Sequence, residues 1–304
     1  MATPAERQKS NALGPEFQYD LTELRKVDPS LIHYEETARI ATGLKEPRGI
    51  AAAEGRVFVA GDKVVRTFDG AGLKPVAEFA TDSPPHGLAV AVGAGGTIFA
   101  AMKDHVETFD AAGKRLAAWE TLGEKAYLTG IAAGEKDVFV ADAGGLAVVR
   151  YDPSGRRVTR IAGNVDASGA GGFLIPSPYF DVGLGLDGTL WIANPGMRRL
   201  ECYTYDGQFQ RAWGRSSPRI EGFCGCCNPT HIVLMADGAL VTSEKGLARV
   251  KVYRPSGMLA SVVAPPAAFA EGTVGLDLAV DAGGRILVLD PHVRAVRVFG
   301  HKKA

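Results

Sequence analysis

The chain has 304 residues, 46% of them hydrophobic and 22% charged: a globular composition with enough length for two ordinary domains or one large all-β domain. Its 34 Lys and Arg balance 34 Asp and Glu, so no face-wide basic field is expected and nucleic acid is not expected as a partner. No run approaches the roughly 18 consecutive apolar residues of a membrane span, and the 38 glycines and 17 prolines favour tight turns over long helices.

Residues 1–16 (MATPAERQKSNALGPE) are polar, with no apolar stretch of the signal-peptide kind, and read as a disordered tail. The compartment stays open, since an exported chain trimmed at its N-terminus would look the same. Residues 17–43 form an N-terminal extension. Within it His33–Thr42 (HYEETARIAT) has the length and alternation of a strand.

From residue 44 onward one unit recurs six times. Its first strands begin at Gly49, Gly87, Gly130, Asp181, His231 and Asp277, spaced by 38, 43, 51, 50 and 46 residues. Each is followed by a Gly-containing turn, a second strand (RVFVAG from Arg56, DVFVAD from Asp137, TLWIAN from Thr189), and a third strand such as VVRTFD from Val64 or RVKVY from Arg249. Alternating apolar and polar residues give each strand a buried face, and Asp-Gly and Gly-Gly pairs supply the positive φ of tight hairpins. Repeats of about 40–50 residues with four strands each define the blades of a propeller. The sixth unit stops after its third strand, at Phe299, so His33–Thr42 is expected to supply the missing fourth strand and close the ring. The competing expectation is an independent cap over residues 17–42. Together these place the chain in the all-β class, as a six-bladed β-propeller closed by an N-terminal strand and expected to be a soluble monomer.

The unit Pro-x-Gly-Ile-Ala, Val-Phe-Val-Ala-Asp, Arg-Val-x-Val-Phe resembles the NHL repeat and covers residues 44–300. The resemblance implies the propeller fold and leaves function open. The family includes lyases acting on peptidyl-hydroxyglycine, lactonase-like relatives with a metal in the central channel, and interaction scaffolds. The phrase GFCGCCNPTHI is similar to one in bacterial NHL-repeat proteins.

In such a fold the starts of the innermost strands ring one mouth of the central channel. Arg48, His86, Asp181, His231 and Asp277 fall there, and Asp142, Asn194, Glu244 and Asp290 end second strands on the same face. Arg48, His86, Asp181, Asp277 and Glu244 are therefore candidates for binding a small ligand or protein partner at the channel mouth. Capping of loop amides is the expected role of Asp142, Asn194 and Asp290. Oxygens from Glu244, Asn194, Asp181 and Asp277 could also take calcium or magnesium, though every blade has one such residue and the spacing does not demand it.

All four cysteines fall between residues 202 and 227, three of them in the loop Gly222–Pro229 that leads into His231. Clustered thiolates suit a soft transition metal or an iron–sulfur cluster, with Cys224, Cys226 and Cys227 as ligands and Cys202 or His231 completing the set. Cys-x-Cys-Cys is neither a zinc pattern nor a ferredoxin run, and adjacent residues diverge in extended backbone. A disulfide, a redox thiol and an incidental core thiol at Cys202 are the alternatives. Phe173–Phe180 (FLIPSPYF) could wall a pocket beside this loop, and GNVDASGAGG before it reads as an insertion or lid. The functional expectation is a propeller carrying a cysteine-ligated metal or iron–sulfur site for binding, sensing or electron transfer. A protein-interaction scaffold with structural or bridged cysteines and a lactonase- or lyase-like enzyme using the funnel are the alternatives.

Overall fold

The computed structural model describes residues 22–90, 96–164, 171–225 and 227–303. The proposed tail at 1–16, part of the GNVDASGAGG stretch and Cys226 lie outside them. Six four-stranded antiparallel sheets are arranged as a ring. Blade 1 holds β2 (Pro47–Ala53), β3 (Arg56–Gly61), β4 (Val64–Asp69) and β5 (Pro75–Ala80). Blade 2 holds β6 (Gly87–Val90), β7 (Ile98–Ala101), β8 (Val106–Phe109) and β9 (Arg115–Ala118). Blade 3 holds β10 (Leu128–Ala133), β11 (Val138–Asp142), β12 (Ala147–Tyr151) and β13 (Arg157–Ile161). Blade 4 holds β14 (Val182–Leu184), β15 (Thr189–Asn194), β16 (Arg199–Thr204) and β17 (Phe209–Trp213). Blade 5 holds β18 (His231–Leu234), β19 (Leu240–Glu244), β20 (Arg249–Tyr253) and β21 (Leu259–Ala264).

Blade 6 joins the two ends of the chain. β22 (Asp277–Val280), β23 (Ile286–Asp290) and β24 (Ala295–His301) are completed by β1 (Tyr34–Ala41), which pairs with β24 from Tyr34↔His301 to Ala41↔Ala295. The N-terminal strand therefore closes the ring and covers the edge that β24 would otherwise expose. Arg297 on β24 binds Glu36 on β1 at 2.6 Å, and Ile40 packs against Val296 and Val298.

Alternation decides where the core lies. The residues of β3, β7, β11, β15, β19 and β23 are almost wholly buried, because neighbouring blades cover both faces of their sheets. The outermost strands β5 and β9 are largely exposed. The core is split into layers between adjacent blades: one layer sets Val241, Val250 and Val252 of blade 5 against Leu278, Ile286 and Val288 of blade 6. Trp191 is 2% exposed in such a layer, which accounts for it by packing alone.

If β1 belongs to the cooperative unit, Ile40→Ala should lower the unfolding free energy of the whole ring by about 2–5 kcal/mol. Urea unfolding followed by tryptophan fluorescence measures this, since Trp191 and Trp213 lie in blade 4, remote in the ring from β1. An unchanged midpoint would make β1 a detachable flap.

Candidate functional site

Where the six innermost strands converge, their first backbone amides and the carbonyls beside them need partners, and the adjacent blade supplies them. Asp181, just before β14, accepts the Ile232 N–H of blade 5 through Oδ2 at 2.9 Å. Asp277, the first residue of β22, accepts its own Leu278 N–H at 2.8 Å and the Ile50 N–H of blade 1 at 2.9 Å. Thr129 Oγ1 donates to Phe180 O and Ser243 Oγ to Leu276 O, each at 2.6 Å. All of these bonds except that of Leu278 span two blades. Buried carboxylates therefore stand at the channel mouth for a structural reason before any functional one.

The collar has a charged half and an empty half. Blades 4 to 6 contribute Asp181, His231 and Asp277, whereas blades 1 to 3 contribute Gly49, Gly87 and Gly130. The glycine is required at 130, where a Cβ would lie 2.3 Å from Asp181 Oδ1. His231 Nδ1 lies 3.4 Å from Asp277 Oδ1 and 3.6 Å from Asp181 Oδ2, as ion-pair contacts. Burial works against the charged imidazole, but Asp277 and Asp181 together outweigh it and raise its pKa above the usual histidine value. Opposite charges within about 4–6 Å favour the protonated imidazole. Burial pushes the Asp277 carboxyl up to about 6, with Asp181 adding to the rise and His231 opposing it.

Above the collar is a cavity of about 370 Å³ whose walls include Arg48, His86, Tyr127, Tyr179, His231 and Pro291. Below it a cavity of about 160 Å³ runs into the channel, with Asp181 and Asp277 beside apolar Ile131, Ile232 and Leu278. His86 stands across the ring from His231, one residue before the collar glycine Gly87. Its Nδ1 lies 3.2 Å from Leu128 O. A carbonyl only accepts, so Nδ1 carries a hydrogen, and in the neutral ring the lone pair is on Nε2. Burial lowers the His86 pKa, and Arg48 and Lys103 lower it further. Each imidazole has a tyrosine beside it: Tyr127 at 4.9 Å from His86 and Tyr179 at 6.0 Å from His231, the latter edge-on at 85°.

Of the channel-mouth candidates, Arg48 and His86 line the upper cavity and Asp181 and Asp277 the lower one. Glu244 is placed differently from expectation. It is 1% exposed, and lines neither cavity at the mouth. Its carboxylate binds Lys251 Nζ at 2.6 Å and Arg249 Nε at 2.8 Å, and accepts the Cys224 N–H at 3.0 Å. The physical reason is that β20 turns two cations inward at the level of the β19 end, and a buried acid must meet them. Arg249 and Lys251 then donate to the carbonyls of Pro218, Arg219, Ile220 and Gly222, which fixes the approach to the cysteine loop. Burial, reinforced by Arg249 and opposed by Glu244, pulls the Lys251 ammonium down to about 8. Asn194 is used alike in blade 4. It accepts from Leu174 N and donates to Gly172 O and Glu201, so the oxygens first considered for calcium or magnesium are not gathered into one set. Asp142 and Asp290 cap loop amides, those of Tyr127, Gly145, His292 and Val293.

The cysteines divide. Cys202 is a free thiol, fully buried with Trp191, Leu200 and Leu240 in the blade 4–5 layer. Burial raises its pKa. Cys224 is a half-buried free thiol and Cys227 is buried. Gly225 between them has a φ of 74°, which folds the loop back, and Asn228 Nδ2 closes it on Cys224 O at 2.5 Å. Among the described residues, the one group of three or more His, Cys, Asp or Glu with ligating atoms within 4.8 Å of one another is Asp181, His231 and Asp277. Two carboxylates and an imidazole suit a hard or borderline divalent cation. Against that, three backbone N–H groups already occupy the carboxylates, and the proton on His231 would have to leave. His231 thus joins aspartates, and among the described residues it joins no trio containing a cysteine. Tyr127 carried no periodic signal in the sequence. Of the 173–180 approach, Pro178 and Tyr179 line the upper cavity at the channel mouth, which no described residue of the cysteine loop lines.

Fold and site define a six-bladed β-propeller with a polar, two-histidine channel mouth. No family model matches the chain, and no curated protein does. Among solved structures it is similar to one described as "Streptogramin B lyase structure", with a TM-score of 0.59 and 12% identity, covering 90% of this chain and 100% of that one. At that identity the likeness establishes the propeller fold alone, which is also how far the NHL resemblance is supported.

Removing the Glu244 charge leaves Arg249 and Lys251 buried against each other. Glu244→Gln should therefore cost about 3–5 kcal/mol in urea unfolding and speed alkylation of Cys224. Wild-type stability and labelling rate would mean that the network does not hold the loop.

Proposed function

We propose that the channel mouth is a proton-transfer site for a small molecule, acting as a lyase. The single observation that carries the reading is the pair of imidazoles in one pocket whose surroundings drive them to opposite protonation. The Nδ1 of His86 rests on the Leu128 carbonyl and burial lowers its pKa, whereas the Nδ1 of His231 faces two carboxylates that raise its pKa. Environments that push two titratable groups apart in pKa assign the acid and the base.

In this reading His86 Nε2 removes a proton from a carbon next to a carbonyl, the carbon–oxygen bond one atom further on breaks, and the departing oxygen takes the proton of His231. Bonds balance without water, oxidant or metal: one C–H and one C–O bond are lost, one C=C and one O–H are gained. Exchange with solvent then returns each imidazole to its starting state. Asp181 and Asp277 are positioning residues, setting the His231 tautomer and favouring its charge from beneath. The propeller described as a streptogramin B lyase has the same fold, and a lyase is the reaction class these paired imidazoles would serve.

A soft-metal or iron–sulfur site on Cys224, Cys226 and Cys227 is the second proposal. What favours it is the grip of Arg249 and Lys251 on the loop that leads to Cys224 and onward to His231. Metal analysis of protein purified without oxygen tests it: bound metal lost in Cys224→Ser supports it, and metal-free folded protein removes it.

Histidine NMR titration tests the lyase reading. The His86 signal should titrate below about 6.5 and the His231 signal above it. Asp277→Asn should move the His231 value down and leave His86 in place. Both raised groups, Asp277 and His231, hold protons more tightly in the folded state, so their stabilisation is complete at low pH and lost as pH rises. The stability margin of wild type over Asp277→Asn should accordingly shrink between about pH 4 and 6, the interval between the ordinary carboxyl value and that of folded Asp277. Two histidines titrating together, or a pH-independent margin, would contradict the assignment.

A further inference from the structure

We infer that the pocket selects a compact carboxylate on a flat apolar body, with Arg48 as the residue that binds the carboxylate. The inference rests on the same pocket as the lyase reading and adds the class of substrate.

Charge is the first argument. The ionisable groups on the cavity wall are Lys45, Glu46, Arg48, His86, Tyr127, Tyr179 and His231. Glu46 is the one acid among them, and its side chain is 68% exposed. The carboxylates of Asp181 and Asp277 lie below the collar, facing Nδ1 of His231. A ligand entering from above therefore meets a positive lining.

Availability is the second. Arg48 gives one nitrogen to Glu46 at 2.8 Å. A guanidinium has five N–H donors in a planar fork. The Glu46 contact is a solvent-exposed ion pair, screened and weak, so a bound carboxylate can displace it. Bidentate geometry then fixes the orientation of the ligand as well as its charge.

Shape is the third. The rings of Tyr127 and Tyr179 stand against the two imidazoles, and Pro47, Pro178 and Pro291 complete apolar walls. A cavity near 370 Å³ is at the small end of ligand pockets, which run from about 300 to 1,000 Å³. A flat body fits between aromatic walls and places a carboxylate at the rim, where Arg48 stands one residue before the collar glycine Gly49.

The Arg48 charge holds the basicity of His86 down. A carboxylate that neutralises Arg48 would restore it, so an anionic ligand would strengthen the base that acts on it.

The test uses the whole chain and three ligands with one ring and different charge: benzoate, benzamide and benzylammonium. Calorimetry should show benzoate binding at least tenfold more tightly than benzamide, with no heat from benzylammonium. Arg48→Gln should remove the preference for benzoate, and saturating benzoate should raise the His86 titration midpoint where benzamide does not. Equal binding of the three, preference for the cation, or an undiminished benzoate preference in Arg48→Gln would each overturn the inference. Failure of the lyase reading looks different. Arg48-dependent benzoate binding with both imidazoles titrating together would keep the anion site and end the proton-transfer role.

Discussion

Six strands meeting at one axis leave backbone groups that no strand of their own blade can satisfy, and the site is built from the answer to that constraint. The neighbouring blade reaches across with Thr129, Asp181, Ser243 or Asp277. Hydroxyls accomplish this without charge, whereas the two aspartates bring anions into a buried collar. A buried anion needs compensation. His231, lying between the two aspartates in the ring, supplies it, and glycine on the facing blades leaves the room. The imidazole between two carboxylates is thus a by-product of joining blades, and its place on the wall of the cavity above turns a structural cluster into a candidate for chemistry.

Blades 4 and 5 carry a second polar system, used to hold loops. The same register positions read Asn194, Arg199, Glu201 and Tyr203 in blade 4, and Glu244, Arg249, Lys251 and Tyr253 in blade 5. The acid stands on the third strand in one and at the end of the second strand in the other. In both, the network ends on backbone groups of the preceding loop: through the Asn194 amide on Gly172 and Leu174 in blade 4, and through the charged groups themselves on residues 218 to 224 in blade 5. Those loops adjoin the histidine pocket through Tyr179 and the segment leading to His231. Desolvating Lys251 and Arg249 is costly, and the return is a fixed loop rather than a large gain in stability.

The architecture was legible because propellers repeat. Period-two alternation and regular Gly-rich turns located the innermost strands, and the missing fourth strand of the last blade pointed to His33–Thr42. Alignment of the strand starts also brought Asp181, His231 and Asp277 to one mouth. It could not tell that Glu244 faces Arg249 and Lys251, because that depends on which face of β20 turns inward at the strand end. Nor could it give the opposite pKa shifts of His86 and His231, which depend on burial in one case and on two carboxylates in the other. Tyr127 sits in a connection between blades, where sequence has no period to follow. The cysteine motif drew attention by its rarity, yet Cys202 is a packing residue and His231 is committed to aspartates.

The claim that carries the account is that the collar carboxylates keep His231 charged while His86 across the pocket stays neutral. Neutron diffraction from a crystal at neutral pD reads this directly. The account predicts deuterium on both ring nitrogens of His231 and on Nδ1 alone of His86. A singly deuterated His231, with the second deuteron on Asp277 or absent, would contradict it.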